Sequence, residues 1–251
     1  MGLDDFSTSE RPYQGIRNTY DKSKLAEDNY NLGYIVGTLL CDGSMPSHRD
    51  RIQLQASDKE FVAEFGIRLC NWLSEDWDGF NSSQTGVSAT GPISTSGKDN
   101  WRIEKSSSDI VEVLEKYYNH TDWLEWIEDF NGEGQLQMLR GMWDSEGSTR
   151  TNSKQVQFFN IEDGIISLYL YLSQKFVDVG YNGISEITSP VDLLDCAEWS
   201  EMESRIKSGD VAIVKRYEGR AMCVEFPKHY THDFFQTVKP TIKRKYPWEV
   251  Q

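Results

Sequence analysis

The chain has 251 residues, 40 of them acidic against 26 basic, for a formal net charge of −14. With 38% hydrophobic and 12% aromatic residues it can bury the core of one large domain or of two half-sized ones, which excludes a disordered chain. No apolar run reaches the roughly 18 residues that a membrane span needs. The opening MGLDDFSTSE lacks the basic and apolar regions of a signal peptide. Cys41, Cys70, Cys196 and Cys223 are too dispersed for a zinc site or a disulfide framework. An intracellular protein is expected, in the cytoplasm of an archaeon or bacterium or in an organelle, with no membrane partner. Taken in bulk, the charge argues against nucleic acid.

Residues 1–28 are polar, without a sustained apolar period, and read as a loosely packed extension. Asn31 to Gly43 is apolar at helical spacing and closes on a glycine, a residue that ends helices. Gly33, Gly37 and Cys41 recur at every fourth position, so one stripe of this helix is small enough for another backbone to approach. Arg51 to Ala56 alternates as a strand. Ser57, with Glu60 three residues on, predicts the N-cap of a helix running from Asp58 to Leu73. Residues 74–100 are rich in Gly, Ser, Asn and Asp and form a hairpin or an irregular connection. Trp101 to Lys105 reads as a strand and Ser108 to Tyr118 as a helix, and the aromatic, acidic stretch from Tyr117 to Phe130 bridges to the second part of the chain.

The pattern then begins again. Gln135 to Gly147 is a second apolar helix ending in an acid and a glycine, with Gly141 104 residues after Gly37 and Glu146 104 after Asp42. A strand from Gln155 to Asn160 and a helix from Asp163 to Val179 come at matching offsets. Ala221 to Phe226 corresponds to the strand at 101–106 at an offset of 120, the surplus falling in an acidic insertion near 191–210. The chain is therefore read as an extension (1–28), a first half (29–130) and a second half (131–251), two copies of one unit.

Each copy puts one carboxylate, Asp42 or Glu146, at the last turn of its small-faced helix. If the two helices pack on each other, these acids meet, each at the negative end of a helix dipole and each repelling the other. A hard divalent cation between them relieves both penalties; magnesium takes a few carboxylates, waters and phosphate oxygens. Ile35–Gly43 and Leu139–Gly147 resemble the nine-residue motif of the LAGLIDADG homing endonucleases in their single-chain, two-motif form. Element order extends the resemblance over nearly the whole chain from residue 29. It implies an α+β fold of two pseudo-twofold αββαββα halves, with the motif helices at their interface and two antiparallel sheets forming a saddle on DNA. The function it implies is cleavage of both strands of a long site by a monomer using Mg2+, with Mn2+ as a substitute.

Carried over residue by residue, Asp42 and Glu146 are the catalytic metal ligands. Gly33, Gly37 and Gly141 are the close-packing positions, and Gly43 and Gly147 end the helices. Gln55 and Asn160 match a polar strand position beside the metal, and Lys105 and Lys228 match a basic one. Motif one departs from the family's preference at Thr38, Leu40 and Cys41. The acid at the sixth motif position, structural in the family, is present only as Asp144.

Segregation of charge reconciles this reading with −14. Residues 108–133 carry Asp109, Glu112, Glu115, Asp122, Glu125, Glu128, Asp129 and Glu133 against Lys116 alone. Lys239, Lys243, Arg244 and Lys245 make the tail basic. Base edges in the major groove would be read by Arg51, Gln53, Gln55, Arg102, Gln155, Gln157, Lys215, Arg216 and Arg220. Double-stranded DNA is the expected partner. An RNA-binding maturase of a host intron and a non-cutting DNA-binding protein are the alternatives on the same fold.

Overall fold

The computed structural model describes residues 19–46, 50–82, 86–95, 97–150, 154–177, 213–216 and 222–242. The predicted insertion near 191–210, Arg220 and Lys243–Lys245 lie outside them. For Lys215 and Arg216 only the backbone is described.

The chain opens with a short helix, α1 (Lys22–Glu27), capped by Asp21, whose carboxylate accepts from the Ser23 and Lys24 amides. The end of the extension is thus packed rather than loose: Leu25 is buried, and its carbonyl accepts from the Trp72 indole at 2.7 Å. The first motif helix, α2 (Asn29–Cys41), comes directly after and is buried from Leu32 to Leu40. Then come β1 (Gly43–Ser44), β2 (Arg51–Ala56) and α3 (Lys59–Leu73). The N-cap of α3 is Asp58 rather than Ser57; its carboxylate takes the Glu60 and Phe61 amides and suits the positive helix end better than a hydroxyl.

The glycine- and serine-rich connection resolves as a hairpin of β3 (Ser88–Thr95) and β4 (Lys98–Ser106), longer than the strand expected from Trp101. Gly97, at φ +78°, makes its turn. Helix α4 (Ser108–Glu115) and two short 3-10 turns, Trp123–Glu125 and Ile127–Asp129, complete the bridge. The second copy runs α5 (Gly132–Glu146), β5 (Gly147–Thr149), β6 (Val156–Asn160), α6 (Asp163–Val177), β7 (Ile213–Arg216), β8 (Met222–Glu225) and α7 (Tyr230–Val238). Each copy makes one four-stranded antiparallel sheet with the same order, β1-β2-β4-β3 and β5-β6-β8-β7. Gly43 faces Leu54 in the first, and Gly147 faces Phe158 in the second, so the 104-residue offset holds to the residue. Arg102 faces Gln55 while Cys223 faces Phe159, which sets the later strand at an offset of 121 rather than 120.

In β2 and β6 alternate residues turn inward: Ile52 and Leu54, and Val156 and Phe158, are fully buried. The helices cover this face, and the opposite face stays half-exposed.

The two sheets are joined through α2 and α5, which touch backbone to backbone. A Cβ added to Gly33 would overlap the carbonyl of Gly134, and one on Gly37 the carbonyl of Met138; one on Gly141 would overlap the carbonyl of Tyr34. The pairs Gly37–Met138 and Gly141–Tyr34 exchange under the 104-residue offset, so the contact carries the pseudo-twofold. Gly134 is a close-approach position that lies upstream of the predicted second helix, whose first turn begins three residues earlier than expected. Near the N-terminal end of the pair, the Asn131 amide donates to Asn29 Oδ1 at 2.6 Å.

Because backbone carbonyls cannot move aside, Gly37→Ala should destabilise by about 3 kcal/mol. Gly132→Ala, where added carbon meets nothing, should be neutral or stabilising by up to about 1 kcal/mol. Urea unfolding of the two variants checks this; equal midpoints would contradict it.

Candidate functional site

Helix α2 ends at Cys41, with Asp42 as its C-cap, and the Asp42 amide donates to the Thr38 carbonyl. Helix α5 ends at Glu146 and passes straight into β5. Since α2 and α5 cross through their glycines, both carboxylates arrive at one end of the pair. Cys41 reports the convergence: its thiol is pushed well up by burial first, then by the negative charges of Glu146 and Asp42. Asp42 is exposed and Glu146 half-buried.

Beside Glu146 an open cleft of about 420 Å³ is lined by Leu40, Cys41, Phe159, Asn160, Ile161 and Glu162, among others. Among the described residues, no group of three or more His, Cys, Asp and Glu is gathered to hold a metal alone. Two oxygen donors at two negative helix ends, open to solvent, nevertheless fit a hard divalent cation that completes its shell with water and phosphate. Asp42 and Glu146 are the residues that would hold it.

Register places the neighbours of the acids. Asp42 precedes Gly43, which pairs with Leu54, so Asp42 heads the row that continues through Gln55 and Arg102 to Thr90. Gln55 Oε1 accepts from Arg102 Nε at 2.9 Å and Nη2 at 2.7 Å. Glu146 heads the corresponding row of Phe159, Cys223 and Lys215. Phe159, not Asn160, is therefore the counterpart of Gln55. Asn160 stands one position on, on the other parity of β6; it is buried, lines the cleft with Glu146, and its Oδ1 accepts from the Glu162 amide at 2.9 Å.

Lys105 also differs from expectation. It shares the inward face with Ile103, is buried, and its Nζ is held by Glu75 at 2.7 Å and by the Gly86 carbonyl at 2.9 Å. A lysine fixed there cannot reach across its own sheet to the acids; among the described residues, Arg102 is the basic group in the Asp42 row. Lys228 is exposed in the turn beyond β8.

The half-exposed faces carry the other expected polar residues. Arg51 pairs with Glu104 at 3.1 Å. Gln53 lies between Arg51 and Gln55 on the outward side, opposite Glu104. In the second sheet Gln157 donates to Glu225 Oε2 at 3.1 Å, and Arg150 pairs with Glu225 at 3.2 Å. Gln155 donates to the Phe226 carbonyl at 3.1 Å. Glu104 and Glu225 occupy one register position of the two copies, opposite Gln53 and Gln157. Sequence reasoning passed over both acids and Arg150.

No protein-family model matches the sequence, and no curated protein sequence does. Solved structures do match. A structure of mesophilic variants of the homing endonuclease I-DmoI superposes with a TM-score of 0.52 at 10% identity, covering 86% of this chain and 96% of that one. A variant of I-DmoI in complex with its target DNA and Mg gives 0.51 at 10% identity, covering 86% and 98%. Full-length DUF199/WhiA from Thermatoga maritima gives 0.52 at 12% identity, covering 88% of this chain and 61% of that one. The chain has the LAGLIDADG fold.

Within that fold, Asp144 braces the end of α5. It is 1% exposed, and accepts from the Tyr34 hydroxyl across the helix pair at 3.0 Å and from the Thr241 amide at 2.9 Å. Burial raises its pKa to about 6, against hydrogen bonds from Thr241 and Tyr34 and the charge of Arg140, which lower it. A carboxyl with a raised folded-state pKa favours folding most when it is protonated. Its contribution is full below the unfolded value near 3.8 and is lost as pH rises through about 6, a swing of about 3 kcal/mol. The stability of the parent chain relative to Asp144→Asn should therefore fall between pH 4 and pH 7, measured by urea unfolding at each pH. A pH-independent difference would contradict this.

Proposed function

We propose that this protein is a site-specific double-strand DNA endonuclease. The observation that carries the reading is the delivery of Asp42 and Glu146 to one end of a backbone-to-backbone helix pair. That end is flanked by two pseudo-twofold-related sheets whose half-exposed faces present arginine and glutamine. Antiparallel strands of this length fit the DNA major groove, where Arg51, Gln53, Arg102 and Gln157 have the donor and acceptor types that read base edges. The pseudo-twofold relation suits a duplex, whose two strands present scissile phosphates in opposite senses. The DNA complex of I-DmoI shows the same scaffold engaged with a duplex, which supports the partner.

Divalent metal, when held by Asp42 and Glu146, supplies Lewis-acid polarisation of the phosphate and lowers the pKa of bound water. The chain's own contribution is positional. Gln55, its carboxamide oxygen anchored by Arg102, keeps its amide hydrogens as donors for an attacking water or a phosphate oxygen. Arg102 offsets charge developing on the phosphate. On each strand the water oxygen bonds to phosphorus and the bond from phosphorus to O3′ breaks. The water proton is delivered to the leaving oxygen. The burial of Lys105 favours a second reading, a DNA-binding protein on this scaffold that does not cut.

The target need not be known to test this. Randomised duplexes of about 30 base pairs are selected on the protein in Ca2+, and the bound pool is then transferred to Mg2+. The expected result is one consensus of about 20 base pairs, cut on both strands by the parent chain. Asp42→Asn and Glu146→Gln should bind it and leave it intact. A consensus that Mg2+ leaves whole supports the binder, and enrichment from an RNA pool in its place supports a maturase. Either result overturns the endonuclease.

A further inference from the structure

The open cleft of about 420 Å³ lies between the last turn of α2, Glu146 of α5 and the β6–α6 turn, and its volume is that of a small-molecule site. Its wall is largely hydrocarbon. Leu40 and Ile165 are buried in it, and Phe159 brings a half-buried aromatic surface. Cys41 adds a thiol, which packs as a small apolar group. The polar groups are few and of complementary kinds. Asn160 is 9% exposed and has its Oδ1 taken by the Glu162 amide, so its amide hydrogens are what it offers to the cleft. Glu146 and Glu162 supply carboxylates, the second 3.9 Å from His120 Nε2.

Charge decides what can enter. A backbone phosphate would meet two carboxylates and a hydrocarbon wall, whereas a nucleobase is neutral and flat. An aromatic surface with a carboxylate acceptor and an amide donor matches a base edge whose exocyclic amine stands beside a ring nitrogen. We infer that the cleft beside Glu146 is a pocket for one nucleobase, adenine or cytosine, turned out of the bound duplex. This rests on duplex DNA being the partner. With Glu146 against a scissile phosphate, the bases of the flanking nucleotides are the ones within reach.

Ile161 supplies the means of displacing such a base. It lines the cleft and is 62% exposed, more than any other large apolar side chain among the described residues. Apolar side chains set against a duplex enter between base steps and part their stacking. A base unstacked by Ile161 has the cleft directly beside it. In the first copy the same repeat positions hold Ser57 and a Gln55 bound to Arg102, so wedge and aromatic surface belong to the second half alone.

The test uses the full chain and the duplex selected in Ca2+, with 2-aminopurine placed in turn through its central base pairs. This base analogue is bright when unstacked. We expect its fluorescence to rise at one position on binding. A mismatch placed there should tighten binding by the parent chain about tenfold, since unpairing is then already done. Ile161→Ser should lose most of the rise and bind the paired duplex more weakly, yet bind the mismatched duplex nearly as the parent does. A misfolded variant weakens both. Glu162→Gln should lessen the preference for adenine or cytosine over thymine at that position. No rise at any position, in a duplex that the protein cuts in Mg2+, overturns the pocket and leaves the endonuclease standing. So does a rise that Ile161→Ser leaves unchanged. A rise in a duplex that stays whole in Mg2+ keeps the pocket and overturns the endonuclease. Selection of no duplex overturns both.

Discussion

The structure depends on one constraint: α2 and α5 approach until backbone meets backbone. Gly33 against Gly134, Gly37 against Met138 and Gly141 against Tyr34 leave no room for a single added carbon. The consequence is geometric as well as energetic. Helices held at side-chain distance would leave their C-terminal ends apart, whereas here the charges of Asp42 and Glu146 both bear on one thiol, that of Cys41. The same helices run directly into β1 and β5, so fixing the helix pair also fixes where each sheet begins. Asp144, shared between Tyr34 of α2 and the Thr241 amide beyond α7, ties this pair to the last helix. Motif one has Leu40 at the equivalent position, so only the second copy has this brace.

The charge distribution becomes intelligible on that frame. A net charge of −14 sits badly with a polyanionic partner if spread evenly. Of the two register-equivalent acids, however, Glu104 is half-exposed and Glu225 is buried, and each is countered by an arginine. Much of the acidity of 108–133 is directed elsewhere, to Lys22 from Glu112, to Lys116 from Asp129 and to Tyr171 from Glu128. Exposed pairs of this kind contribute little to stability. The arginine partners of Glu104 and Glu225 are what offset the charge at those two sheet positions.

Much of this was legible in the sequence, because a duplicated unit states its constraints twice. The offset of 104 between Asp42 and Glu146, and between Gly37 and Gly141, holds in the register of both sheets. Two rules account for where Lys105 and Asn160 stand. Strand parity puts Lys105 on the side of Ile103, opposite to Arg102, and so into the interior. The repeat offset carries Gln55 onto Phe159, one residue short of Asn160, and a one-residue slip exchanges faces. Gly134 was missed because it precedes the apolar run that marks the helix, where Asn131 caps it. The outward acids could not be read as paired: Glu104 and Arg51 are 53 positions apart, and Glu225 and Arg150 are 75 apart. Only the folded sheets bring them together.

Everything proposed for cleavage requires that Asp42 and Glu146 jointly hold divalent cation against a DNA duplex. Electron paramagnetic resonance of Mn2+, added to the protein on its selected duplex, reads that binding without waiting for cleavage. We expect a bound manganese population that the duplex alone lacks and that Asp42→Asn/Glu146→Gln loses while still binding the DNA. Equal manganese uptake by the double variant would contradict joint ligation by the two acids.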